Sequence, residues 1–60
     1  MNKQFIQQAE QLCIFNLNDI MKSKLANLKQ DKHFTYTWYV DMLNLLKDQD
    51  LLRQFQENQL

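Results

Sequence analysis

Hydrophobic positions in this chain recur at helical spacing, and they do so in four blocks separated by polar clusters. In the first block, residues 3–14, Phe5, Ile6, Ala9, Leu12 and Cys13 fall at i, i+3, i+4 and i+7 and share one face. In the second, about 18–30, the stripe is Leu17, Ile20, Met21, Leu25 and Leu28. At 100° per residue this stripe is rotated by about 100° from the first, far more than the drift of a heptad seam. The two blocks are therefore separate helices, with Asn16 or Asn18 capping the second. Phe15 lies opposite the first stripe, as expected where the chain turns.

The third block opens with "HFTYTWYV" (33–40), which is rich in strand-forming residues. Its apolar members do not alternate, because Trp38, Tyr39 and Val40 are consecutive. At helical spacing, Trp38, Tyr39, Met42, Leu43, Leu45 and Leu46 form one wide arc, opposed by Thr37, Asp41, Asn44 and Asp48. The pattern predicts a helix with Thr35 as its N-cap. After "KDQD" (47–50), Leu51, Leu52 and Phe55 point almost opposite to that arc. Either a break re-aims the last helix, or one helix is apolar on different sides at its two ends. The expectation is an all-α fold, a single domain over 1–60 with three or four short helices.

Composition sharpens this picture. Glycine and proline are absent, so the turns "FNLND" (15–19), "KQDKH" (29–33) and "KDQD" must rely on asparagine and aspartate. With 60 residues, the chain is near the lower size limit for independent folding, and its one cysteine cannot form an internal disulfide. That favours completion of the bundle by a second copy. One helix pair can cover the arc of Trp38, Met42, Leu45 and Leu46 but has little left for Leu51, Leu52 and Phe55. A two-fold homodimer with Leu52 and Phe55 near its contact would cover both. Asparagine and glutamine make up a quarter of the chain but are scattered, and 45% of residues are hydrophobic, so this is neither a prion-like tract nor a disordered tail.

Charge narrows the function. Seven basic and seven acidic side chains cancel, so no global field draws the chain to DNA or an anionic membrane. No apolar run approaches a membrane span, "MNKQFIQQAEQ" lacks a signal-peptide core, and a lone thiol fits the cytoplasm. Catalysis is poorly supplied. Cys13 and His33 are the one nucleophile–base combination, with Asp31 or Asp41 as orienting groups. Cys13, however, falls on an apolar stripe, where a thiol usually acts as a small hydrophobe. One histidine and one cysteine do not fill a zinc site, and no cofactor motif is present. The expected function is a non-enzymatic protein-interaction or regulatory module. Its contact residues would be Tyr36, Trp38, Tyr39 and Met42, of interface composition, with Leu51, Leu52 and Phe55.

The alternative is a small nucleic-acid-associated protein. Lys22 and Lys29, which share a helical face, and Lys32 would meet phosphates while Tyr36 and Trp38 stack on bases. The plainer account of the same residues is a solvated helix face beside core aromatics, with Lys24 snorkelling from the apolar stripe.

From residue 15 onward, Phe15, Leu17, Met21, Leu25 and Leu28, followed by Leu43, Leu46, Asp50 and Arg53, resemble the N-terminal helical segment of IstB/DnaC-type helper ATPases. Asp50 stands where glutamate is usual, Arg53 comes one residue early, and the ATPase core with its phosphate loop is absent. The resemblance implies a docking or assembly segment of a transposition or replication helper, without catalysis of its own.

Overall fold

A computed structural model describes residues 3–60. Among these residues there are helices and turns and no strand. The helices are α1 (Lys3–Gln11), α2 (Leu17–Lys22), α3 (Leu25–Leu28), α4 (Tyr36–Asp48) and α5 (Leu52–Asn58). The stretch "YTWYV" (36–40) thus resolves as helix. Thr35 is extended and its Oγ1 accepts from the Trp38 N–H at 3.2 Å, the N-cap bond expected of a threonine there.

The second predicted block is not one helix. It breaks at Ser23 and Lys24, both in extended conformation, and resumes as the single turn of α3. The α5 end supplies the partners that this break needs. Gln59 Oε1 accepts from the Leu25 N–H at 2.6 Å, and Gln59 Nε2 donates to the Ser23 carbonyl at 3.0 Å. Asn58 Nδ2 donates to the Met21 carbonyl at 3.3 Å, and Lys24 Nζ donates to the Asn58 carbonyl. Helical hydrogen bonds forfeited inside the second block are replaced by tertiary ones.

Two helix ends share one device. After α1, Cys13 takes φ 62°, its N–H reaches the Glu10 carbonyl at 3.0 Å, and the Ile14 N–H reaches Ala9 at 2.9 Å. After α4, Asp50 takes φ 62°, with Asp50 N–H to Lys47 at 3.1 Å and Leu51 N–H to Leu46 at 2.8 Å. Both are Schellman motifs, in which the left-handed residue is ordinarily glycine. This turn also overturns the expectation that Cys13 lies buried on the first stripe. The chain reverses one residue too soon, Cys13 is left exposed, and Ile14 takes the inward position against Ala9.

The core consists of Phe5, Ala9, Leu12, Ile14, Ile20, Leu28, Trp38, Met42, Leu46 and Phe55. It draws on every helix: α1 packs on α4, α2 on α5, and α4 on α5. Trp38 is the aromatic centre, stacked on Phe5 at 5.4 Å and met edge-on by Phe34 at 6.2 Å. The second Schellman turn re-aims α5, so Phe55, 1% exposed, enters the same core as Met42 and Leu46. The opposed directions of the arc and of Leu52 and Phe55 hold only for a continuous helix. With the break, one chain covers both surfaces. Its radius of gyration of 10.6 Å matches the roughly 10.4 Å of a compact chain of this length.

Candidate partner-binding groove

The predicted contact residues divide into two groups. Trp38, Met42 and Phe55 are buried in the chain's own core, so they are not a surface that a partner can reach in this fold. Tyr39, Leu51 and Leu52 are half-buried against that core, and Tyr36 is exposed beside Tyr39, their rings 6.3 Å apart. The large aromatics went inward because a 60-residue domain has little else with which to fill its centre.

The basic stretch is also rearranged. Lys22 ends α2, Lys29 follows α3, and the extended Ser23–Lys24 link between them breaks the shared helical face. Lys32 is exposed in the following loop, and Trp38, the intended stacking platform, is 3% exposed. Of the catalytic candidates, no hydrogen bond joins Cys13 to His33 among the described residues. Asp31 Oδ1 instead accepts from the His33 backbone N–H at 2.8 Å, and Gln8 Nε2 donates to the His33 carbonyl. No group of three or more histidine, cysteine or acidic side chains suited to a metal occurs among the described residues. No helix there is long and apolar enough to cross a membrane.

What the surface does offer is a groove of about 240 Å³ between α1 and the turn into α2. Its floor is apolar, built from Phe5, Ala9, Ile14 and Ile20 with the half-buried Leu17 and Leu45. Ile6 and Phe15 form its rim, 45% and 69% exposed. The first Schellman turn creates this geometry. It folds Ile14 back onto α1 and leaves the next residue, Phe15, projecting outward.

Local hydrogen bonds then hold Phe15 in place. Asp19 Oδ2 accepts from the Phe15 N–H at 2.9 Å, and Asn16 Oδ1 accepts from the Asp19 N–H at 2.9 Å. Asn16 is thus the N-cap of α2, and the two side chains satisfy backbone donors on either side of the cap, a variant of the capping box. The polar members of the groove wall are Glu10 and Asn16.

Sequence reasoning missed this site for a physical reason. Ile6 sits on the first apolar stripe and reads as core, while Phe15 reads as a turn residue. Their shared surface exists only because the chain reverses at Cys13, which carries no glycine to announce the turn. Comparison with protein-family models, with curated proteins and with solved structures finds no match.

Proposed function

We propose that this chain is a non-enzymatic protein-interaction module, and that its contact is the groove rimmed by Ile6 and Phe15. The observation that carries the reading is the pairing of an apolar groove with two large, exposed apolar side chains at its rim. Such side chains on a monomer surface mark contact sites when they adjoin a concavity. Covering the exposed parts of Phe15 and Ile6 would contribute about 2–3 kcal/mol. That is the scale of a hot-spot pair at the centre of a modest interface.

Two earlier expectations have less to build on. A homodimer through Leu52 and Phe55 rested on a surface that α5 turns into the core. A nucleic-acid role rested on Lys22 and Lys29 sharing a face beside Trp38, and that face is divided.

The test is site-specific photo-crosslinking in the native host, with benzoylphenylalanine placed at position 15 and, as a control, at the exposed position 36. A discrete protein adduct from position 15 and not from 36 is the expected result. Adducts to nucleic acid, or equal labelling from both positions, would count against the groove.

A further inference from the structure

We infer that the groove receives a basic amphipathic helix of another protein: a bulky apolar side chain enters between Ile6 and Phe15, and a lysine or arginine within one turn of it meets Glu10. This rests on the protein-binding reading of the groove. Three observations select this occupant.

The first is charge. Glu10 is the one formally charged residue lining the groove, and its carboxylate has no ion-pair partner among the described residues. A second carboxylate, Asp19, stands at the base of Phe15 through its bond to the Phe15 N–H. The lysines nearest to Asp19 in sequence, Lys22 and Lys24, line a different depression together with Asp31, and Lys3, the nearest to Glu10, is not among the groove's lining residues. The groove is therefore apolar with an acidic edge, and its electrostatic complement is a cation beside an apolar anchor.

The second is size. About 240 Å³ is below the roughly 300–1,000 Å³ of small-molecule sites, and it suits one or two side chains presented from a helix.

The third excludes a second copy of this chain. A two-fold contact through the groove would bring two Glu10 carboxylates to one interface with no lining cation to separate them. A head-to-tail contact would need an exposed apolar anchor among the chain's own lysines. Of the strongly exposed large hydrophobics, Tyr36 has Lys32 four residues before it but outside the helix that Tyr36 begins, Ile6 with Lys3 is part of the groove's own rim, and Phe15 and Leu60 have no lysine or arginine within four residues.

The experiment is selection of displayed random peptides on the immobilised full chain, followed by titration of the synthetic winner against Glu10→Gln, Phe15→Ser and Ile6→Ser. Each variant is first checked for an unchanged thermal melt. The expected winners carry leucine or an aromatic with lysine or arginine three or four residues away. Their affinity should fall about three- to five-fold in Glu10→Gln and with added salt, and about tenfold or more in Phe15→Ser or Ile6→Ser. Winners without a basic residue that ignore Glu10→Gln would overturn the basic partner and leave the groove standing. Winners indifferent to Phe15→Ser and Ile6→Ser, or no enrichment over a blank surface, would overturn the groove as well. A Phe15-dependent dimer in sedimentation equilibrium would replace the foreign helix with a second copy.

Discussion

Replacing Cys13 by glycine should make the protein more stable. Cys13 holds φ 62° at the C′ position of a Schellman motif, a region in which a side chain's Cβ crowds the following carbonyl. An L-residue gives up about 1–2 kcal/mol there, whereas glycine gives up only the extra freedom of its unfolded chain, about 0.5–1 kcal/mol. The thiol is exposed, so its removal sacrifices little packing. The net expectation for Cys13→Gly is a gain of about 0.5–1 kcal/mol. For so small a domain that is a rise of about 2–8 °C in Tm. Thermal melts by circular dichroism under reducing conditions measure it, with urea unfolding for the free energy. Cys13→Val serves as the opposite control, because a β-branched residue is the least suited to positive φ and should lower Tm. Asp50→Gly should gain less, since aspartate tolerates the left-handed region better than cysteine does. A fall in Tm for Cys13→Gly, or a neutral Cys13→Val, would refute the assignment of this turn.

The same exposure predicts that Cys13 reacts with Ellman's reagent in the native protein at a rate close to that in urea; protection by an order of magnitude would place the thiol inside. Phe55→Ala should cost about 3–5 kcal/mol, comparable to the whole stability of a 60-residue domain, and should abolish the cooperative melt. A folded Phe55→Ala monomer would show that α5 is not part of the core. Gln59→Ala removes two of the four bonds between the α5 end and the Ser23–Lys24 break and should cost about 1–2 kcal/mol, read as a lower urea midpoint; an unchanged midpoint would mean the break does not depend on Gln59.

The sequence was most legible where one local rule decided the outcome. Thr35 and Asn16 are caps because a short side-chain oxygen can reach the N–H groups of the first turn, and both caps form. Periodicity separated helix from strand at "YTWYV", because consecutive apolar residues cannot all lie on one face of a strand. It failed at Ser23, where the local signal favours a continued helix and Gln59, 36 residues away, decides otherwise. At "KDQD" the pattern marked a candidate break without its direction, and at Cys13 it failed again, because the left-handed backbone there has no glycine to mark it. From that one turn followed the misplacement of Cys13, the missed exposure of Ile6 and the missed groove. A dimer through Leu52 and Phe55 loses its stated ground at Asp50, where the turn carries Phe55 into the chain's own core.

The pairing of α1 with α4 and of α2 with α5 has a consequence for how the chain reaches this state. Helical proteins usually fold fast because sequence neighbours pack together, whereas here two of the three helix pairings close loops across about half of the chain. Only the C-terminal half holds a pairing of its own, α4 on α5, and two helices this short bury too little to stand without the other half. Folding should be a single slow step by the standards of small helical domains. A cut in the 29–34 loop should give two fragments that are each unstructured alone and regain helicity only when mixed.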